Sequence, residues 1–206
     1  MKTRVLLLLF TSSKVHDIVN NRMRTFSSWH DLYGCCNRSI INYHVQTKNM
    51  DIRVLSQTDV PSMWAINEQG LPGTGQVSER EISDLLNLST LSLGVFRNEN
   101  LLGFVICLSP KTDYTSLNYA WFKNKYDEFI YVDRIAVSLD HRDKGIGSKL
   151  YGKVIAYSQE KEVPIAAEVN LNPPNPGSMR FHNRFGFEEV GTLLHKEKSV
   201  TMLLRQ

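Results

Sequence analysis

The sequence predicts an α/β fold in which a mixed sheet of about seven strands is flanked by about four helices. Two apolar runs, Leu91–Arg97 and Leu101–Leu108, are separated by a polar turn at 98–100 and predict an antiparallel hairpin. An apolar strand at Phe129–Val137 is followed by an amphipathic helix at Ile146–Lys161. Because hairpins and a helical crossover occur in one chain, we expect a mixed sheet with helices on both faces.

The other elements follow in order along the chain. Alternating polarity predicts a first strand that begins at Asp51. Two helices precede the hairpin, one with Pro61 in its first turn and one with a capping pair, Ser78 and Glu81. After the long helix, the pattern predicts a buried strand, a short helix and two strands at 164–170, 178–185, 187–190 and 199–204. Residues 109–128 form a polar and aromatic insertion before the central strand.

Charge divides the chain into a basic extension, residues 1–49, and one domain, residues 50–206. The extension holds seven Lys and Arg against two acids, whereas the rest of the chain holds 17 basic and 19 acidic side chains. The domain therefore gives no electrostatic support for nucleic-acid binding. No apolar run is long enough to span a membrane, so we do not expect a membrane-spanning protein.

The extension is rich in Arg and Ser and poor in acids, which is typical of a mitochondrial transit peptide. We therefore expect a mitochondrial protein. The alternative is a disordered leader, or translation that starts at Met50, and then a cytoplasmic protein. Cys35, Cys36 and Cys107 lack metal-ligand spacing, so neither a metal site nor a disulfide framework is predicted.

A short basic loop between the central strand and the long helix has the pattern of an anion site. It reads Arg142-Asp-Lys-Gly145-Ile-Gly147. The first turn of a helix presents unpaired N–H groups and a positive dipole end, which bind phosphates. Glycine lets the backbone approach the ligand closely. A dinucleotide fingerprint would need a third glycine where Leu150 stands, and the preceding hairpins do not fit a parallel βαβ unit.

A second block reads Asn175-Pro-Gly-Ser178-Met-Arg-Phe181-His182-Asn-Arg-Phe-Gly186-Phe187. The two blocks together resemble the acetyl-CoA motifs of the GNAT acetyltransferase superfamily, Arg/Gln-x-x-Gly-x-Gly/Ala and Asn-x-x-Ala-x-x-Leu/Phe-Tyr-x-x-x-Gly-Phe. His182 stands where that family has tyrosine, and Ser178 where it has alanine. The resemblance covers the chain apart from the extension. It implies two splayed parallel strands, at 129–137 and 164–170, with a bulge around Asp133–Ile135 in the first.

The resemblance also implies the site residues. The acetyl-CoA site would comprise Ile135, Ala136, Val137, Arg142, Asp143, Lys144, Gly145, Ile146, Gly147, Ser148 and Asn175. An amine must lose a proton before it attacks a thioester, and Asp133 and Glu168 are the two candidate bases. His182 is the candidate acid for the departing thiolate. Aromatic residues of the insertion and its surroundings are expected to line the acceptor pocket, namely Trp64, Tyr119, Trp121 and Tyr131.

Several functions stay open on this interpretation. The first is an N-acetyltransferase that acetylates a small-molecule amine from acetyl-CoA, without a metal. The second is acetylation of a peptide N-terminus or a lysine, and the third is a non-catalytic protein that binds acyl-CoA. Homodimerisation through the last strands is a further option that the sequence does not decide.

Overall fold

The structure, a computed structural model, describes residues 50–196 and 198–206. The extension predicted at 1–49, with its targeting signal, lies outside these residues, and mitochondrial localisation stays a prediction. The described residues belong to one compact unit. In the described ranges no helix is long and apolar enough to cross a membrane.

Seven strands and five α-helices make up the described part of the chain. They are β1 (Asp51–Val54), α1 (Val60–Glu68), α2 (Glu79–Leu88), β2 (Leu91–Arg97), β3 (Asn100–Leu108), α3 (Leu117–Lys123), β4 (Ile130–Val137), α4 (Ile146–Lys161), β5 (Ile165–Asn172), α5 (Pro176–Arg184), β6 (Glu188–Leu194) and β7 (Ser199–Arg205). The predicted α/β class and mixed sheet are confirmed. The fifth helix, α3, lies in the insertion and was not predicted.

The strands form one sheet in the order β1-β2-β3-β4-β5-β7-β6. All neighbours are antiparallel except β4 and β5, which are parallel. These two strands pair at Ile130 with Ile165 and at Tyr131 with Ala166, and the pairing recorded between them ends there. Beyond Tyr131 the strands diverge, which confirms the predicted splay and opens the middle of the sheet.

A bulge in β4 lies where it was predicted. Ile106 of β3 pairs with Arg134, whereas the next residue, Cys107, pairs with Val132. Asp133 is therefore the extra residue of a β-bulge. A bulge bends a strand and re-aims its side chains, so it turns Asp133 and Arg134 toward the opening between β4 and β5.

Helices cover both faces of the sheet. Met63 of α1, Ile82 of α2 and Phe122 of α3 are buried in one core, on one face. Leu150 and Val154 of α4 are buried in a second core, on the other face. Burying each of these side chains contributes about 1.5–3 kcal/mol, so the two cores hold the sheet edges of the central opening in place.

Local signals explain several element ends. The Ser78 hydroxyl accepts from the Glu81 amide, and the Glu81 carboxylate accepts from the Ser78 amide, so the predicted capping box is present. Asn98 and Glu99 have φ of 48° and 65° and form a two-residue hairpin turn. α3 begins at a Ser116 cap and buries Tyr119 and Phe122 three residues apart.

Candidate functional site

The divergence of β4 and β5 opens a cleft of about 770 Å³ beside the first turn of α4. Its walls come from β4, the loop before α4, the loop between α1 and α2, and α5 with the residues preceding it. Ten of the eleven residues that the sequence predicted for acetyl-CoA line it: Ile135, Ala136, Val137, Arg142, Asp143, Gly145, Ile146, Gly147, Ser148 and Asn175. The eleventh, Lys144, donates instead to the carbonyl of Asp140.

The loop before α4 is shaped to present backbone amides. Asp143 and Gly145 both have positive φ, 59° and 77°. This left-handed conformation favours glycine at 145 and turns the chain sharply into the helix. Arg142 braces the loop, because its guanidinium donates to the carbonyls of Val137 and Gln69 at 3.2 and 2.9 Å. The loop therefore holds the first turn of α4 open toward the cleft, as an anion requires.

Gly147 is needed for packing as well as for ligand approach. A Cβ at this position would lie 3.2 Å from the Phe181 ring of α5. Three residues after Phe181 on the same helix, the Arg184 guanidinium donates to the Ser148 hydroxyl at 3.2 Å. The close approach of α5 thus brings a second cation, Arg184, to the amides of the first turn. A diphosphate group fits this arrangement of amides and guanidinium groups.

A second cavity of about 350 Å³ adjoins the first. Gly73, Ile135, Asn175, Ser178 and His182 are among the residues that line both cavities. The second cavity lies over the bulge of β4 and the facing part of β5. A ligand in the cleft would therefore meet a molecule in the second cavity at this shared wall.

Asp133 and Glu168, the two candidate bases, both line the second cavity. Burial raises the pKa of Glu168 to about 7, and the nearby charge of Asp133 adds to this effect. Burial also raises the pKa of Asp133, against the opposing charge of Arg134, whose Nε lies 3.6 Å from the Asp133 Oδ2. A pKa near 7 suits Glu168 to proton transfer near neutral pH.

A chain of hydrogen bonds holds the Glu168 carboxylate. The Asn118 amide donates to Glu168 Oε1 at 2.9 Å. The His195 Nε2 and the Asn118 Oδ1 lie 2.8 Å apart. The other carboxylate oxygen, Oε2, is buried and has no hydrogen-bond partner among the described residues. The same is true there of the Tyr131 hydroxyl.

The loop between α1 and α2, residues 69–78, covers the seam between the cavities. The Arg134 guanidinium donates to Asn67 Oδ1 and to the Gly75 carbonyl at 2.5 and 2.9 Å. On the other side of the opening, the Asn170 amide donates to the Pro72 carbonyl at 3.3 Å. β4 and β5 are thus both tied to this loop where they have separated from each other.

His182, the candidate acid, lines both cavities but has both ring nitrogens engaged. Its Nδ1 lies 2.8 Å from the Ser178 carbonyl, which can only accept, so Nδ1 carries the proton. The Tyr151 hydroxyl then donates to the Nε2 at 2.6 Å. Burial lowers the pKa of His182. The ring is therefore neutral and holds α5 against α4, and its role as an acid stays a prediction.

The four predicted substrate-binding residues line neither cavity. Trp64 donates to the Val77 carbonyl at 3.0 Å, and Tyr119 donates to the Ser109 carbonyl at 2.6 Å. Trp121 packs on Gly191, and Tyr131 is fully buried beside Tyr119. Their contact with an acceptor stays a prediction without support from a described contact. Aromatic density in the insertion reflects packing of α3 on the core.

The polar residues that complete the second cavity, Asn118 and His195, were not predicted from the sequence. Asn118 lies in the insertion, where a role was predicted for the aromatic side chains instead. His195 lies after β6 and is 77 residues from Asn118, so no local pattern connects them. The glycine-rich stretch Gly70–Gly75 was a usable signal, because three glycines in six residues mark a loop that a ligand approaches closely.

In the described ranges, no group of three or more His, Cys, Asp or Glu side chains is placed to bind a metal ion.

The chain matches the model of one protein family and shares its fold with several solved structures. The model of the Acetyltransferase (GNAT) family matches residues 61–187. No curated protein sequence matches the chain. Several solved structures share its fold at low identity. Ard1 from Thermoplasma volcanium superposes with a TM-score of 0.62 at 18% identity, over 76% of this chain and 96% of that one.

Two further solved structures share this fold. The ribosomal-protein-S18-alanine N-acetyltransferase from Escherichia coli gives a TM-score of 0.59 at 17% identity, over 76% of this chain and 93% of that one. The structure of yncA, a putative acetyltransferase from Salmonella typhimurium with its cofactor acetyl-CoA, gives 0.58 at 16% identity, over 77% and 94%. At these identities the likeness is one of fold.

Proposed function

The chain belongs to the GNAT acetyltransferase family, and from that premise we propose that it transfers the acetyl group of acetyl-CoA to the amine of a small molecule. The observation that carries the proposal is the pair of adjoining cavities. One is built for an anionic, extended ligand, and the other presents a buried carboxylate whose pKa is raised to about 7.

In this proposal acetyl-CoA lies in the larger cleft. Its diphosphate would bind the first turn of α4, near Arg142 and Arg184. Its pantetheine arm would run along the edge of β4 that β5 has left, where backbone groups that point away from β3 have no recorded pairing with β5 beyond Tyr131. Backbone donors there would stabilise negative charge on the thioester oxygen in the transition state.

The acceptor amine would enter the second cavity. Glu168 takes a proton from the ammonium, and the amine nitrogen then attacks the thioester carbonyl carbon. The C–N bond forms, the nitrogen releases its second proton to solvent, the C–S bond breaks, and the thiolate of CoA leaves. We assign protonation of the thiolate to solvent, because both nitrogens of His182 are already hydrogen-bonded.

A small acceptor is favoured over a peptide by the shape of the second cavity. The cavity has about 350 Å³, which suits a compact ligand. The contact between His195 and Asn118 joins the β6–β7 loop to α3 beside it, and the α1–α2 loop covers the seam. An extended peptide would have to separate these contacts.

The test is thioester turnover by the full chain. Acetyl-CoA is incubated with a panel of amines, amino acids and peptides, and free CoA is followed with a thiol reagent. We expect amine-dependent release of CoA, favouring small amines. Glu168→Gln is expected to lower kcat on the order of 10²–10⁴-fold and to leave acetyl-CoA binding unchanged, because general-base catalysis contributes about that factor.

The acetyl-CoA cleft is tested with a matched pair, Ser148→Asp and Ser148→Asn. A carboxylate at this third helical position suits the helix dipole, so the fold is retained, but it repels the diphosphate. We expect calorimetry to show lost acetyl-CoA binding for Asp and retained binding for the isosteric Asn. Tight binding of acetyl-CoA without turnover on any acceptor would point to a non-catalytic binding protein. Turnover with peptides alone would make a peptide the acceptor.

A further inference from the structure

We propose that Asn118 is a positioning residue for Glu168, and that His195 fixes the orientation of Asn118 in turn. The insertion at 109–128 would then set the geometry of the base. This inference rests on the proposed function, since only proton removal from an acceptor in the second cavity makes Glu168 a base.

The direction of each hydrogen bond follows from the chemistry of the groups. A carboxylate oxygen can only accept, so the atom of Asn118 that lies 2.9 Å from Glu168 Oε1 is the amide nitrogen. The Asn118 oxygen is then the atom that faces His195, and it too can only accept. His195 Nε2 must therefore carry a proton. The chain runs from His195 through Asn118 to Glu168 in a single direction.

The chain leaves one carboxylate oxygen for the reaction. Oε1 is held by Asn118, and Oε2 is buried with no partner among the described residues. A buried acceptor without a donor costs about 1–3 kcal/mol, so an N–H or water donor is expected to fill that position. Glu168 lines the second cavity, and an ammonium group there can supply the missing donor.

The hydrogen bonds of Asn118 are separate from the core packing of α3. α3 is anchored in the core by Tyr119 and Phe122, which are fully buried. Between these anchors and the exposed Leu117, which is 66% accessible, the helix directs Asn118 toward β5. The partners of Asn118 are 50 and 77 residues away in the chain. Core packing of α3 requires neither contact.

The charged and titratable groups around Glu168 come from four parts of the chain. β4 contributes Tyr131, Asp133 and Arg134, and the segment before α3 contributes Tyr114. The β6–β7 loop contributes His195 and Lys198, and α5 contributes His182. Asn118 contacts the carboxylate directly, at 2.9 Å, and adds no charge. Burial and Asp133 raise the pKa of Glu168, whereas Tyr131, Asn118 and Arg134 oppose the rise.

The experiment measures the Glu168 carboxyl directly, in the full chain and without an acceptor. Glutamate side chains are labelled with ¹³C at the carboxyl, and the Glu168 signal is assigned by its loss in Glu168→Gln. In Asn118→Leu we expect the pKa of Glu168 to rise by on the order of one unit, as a lost hydrogen bond to a charged group predicts. Asn118→Asp, which is isosteric, should raise it further because it adds a like charge.

Two controls separate positioning from folding. His195→Gln keeps an N–H donor and should restore most of the wild-type pKa, whereas His195→Leu should raise the pKa of Glu168. Leu117→Ala, on the exposed side of α3, should leave it unchanged. With any acceptor that supports turnover, the acidic limb of kcat/KM should move to higher pH in Asn118→Leu by the same amount as the NMR pKa.

A failure of the positioning role of Asn118 is distinguishable from a failure of the proposed function. If Asn118→Leu and Asn118→Asp are folded and the pKa of Glu168 is unchanged in both, Asn118 has only a structural role and the inference is wrong. If the pKa moves as expected but the wild-type protein turns over no acceptor, the proposed function is wrong and the hydrogen-bond chain stands.

Discussion

At the scale of single residues, the sequence identified side chains whose role is local and missed those whose role depends on distant partners. Gly145 and Gly147 were predicted because a turn into a helix and a close approach leave a visible spacing. Asn118 and His195 were not, because an amide and an imidazole acquire a function here only from contacts 50 and 77 residues away. His182 was identified by position, yet its neutral tautomer depends on Tyr151.

The pair Tyr151–His182 supports a prediction at this scale. Tyr151→Phe removes the donor to Nε2 in a fully buried site and is expected to lower the free energy of unfolding by about 1–2 kcal/mol at pH 8. Burial lowers the pKa of His182 in the folded state, so its contribution to stability is present above the ordinary pKa and is lost as pH falls through it.

The difference in free energy of unfolding between Tyr151→Phe and the wild-type protein should therefore become smaller at acidic pH. Without the Tyr151 donor the neutral ring is less favoured, and the pKa of His182 moves back up toward its ordinary value. Urea unfolding at pH 8 and pH 5.5 measures both effects, with Tyr157→Phe on the same helix as the control. A deficit that is equal at the two pH values would show that His182 does not respond to Tyr151.

At the scale of elements, the clarity of the pattern decided what could be predicted. α4 was predicted at its observed bounds because sixteen residues give several turns of apolar periodicity after a glycine start. α3 has seven residues, too few to show a period, and its aromatic residues resemble those of a strand. β6 was placed at 187–190 but runs from Glu188 to Leu194, because its exposed edge carries little alternation.

Packing of α3 against the sheet gives a prediction at the element scale. A Cβ at Gly191 of β6 would lie 2.6 Å from the Trp121 ring of α3. Gly191→Ala is expected to displace Trp121 and to lower the free energy of unfolding by about 1–3 kcal/mol. Gly152→Ala is the matched control, because nothing lies within 4 Å of its added Cβ on the exposed side of α4.

Gly152→Ala should raise the free energy of unfolding by about 0.5–1 kcal/mol, since alanine is the better helix former. Chemical denaturation of the two variants beside the wild-type protein decides the matter. Equal effects of the two substitutions would mean that Trp121 is not held on Gly191. Because α3 carries Asn118, Gly191→Ala should also weaken the contact between Asn118 and Glu168.

At the scale of the whole molecule, the mixed sheet and its splayed central strands were expected from the sequence and its family resemblance, whereas the closure of the second cavity was not. The resemblance implied that these two strands splay and that β4 carries a bulge. No pattern indicated that the α1–α2 loop would be tied to both strands by Arg134 and Asn170, or that the β6–β7 loop would reach α3. Such contacts depend on the lengths of loops and on packing, which a single sequence does not display.

The buried Glu168 carboxyl in the second cavity affects stability and activity in opposite directions as pH changes. The pKa of Glu168 is near 4.5 in an unfolded chain and about 7 in the folded protein, because burial disfavours the charge. Between these values the folded state binds more protons than the unfolded state, so stability falls as pH rises through this window. The same rise in pH ionises the base and increases activity. Through this group, the free energy of unfolding above pH 7 is lower than at pH 4.5 by on the order of 3 kcal/mol.

Glu168→Gln should therefore be more stable than the wild-type protein at high pH and should lose that advantage in acid. Its amide oxygen can still accept from Asn118, so the gain reflects the removed charge. We expect the difference in free energy of unfolding to grow between pH 5 and pH 8 by on the order of 3 kcal/mol, as measured by urea unfolding. Glu160→Gln, an exposed carboxyl on α4, should give a difference within about 0.5 kcal/mol throughout. A flat difference for Glu168→Gln would mean that the folded protein holds Glu168 at its ordinary pKa, and the base would then have to be sought at Asp133.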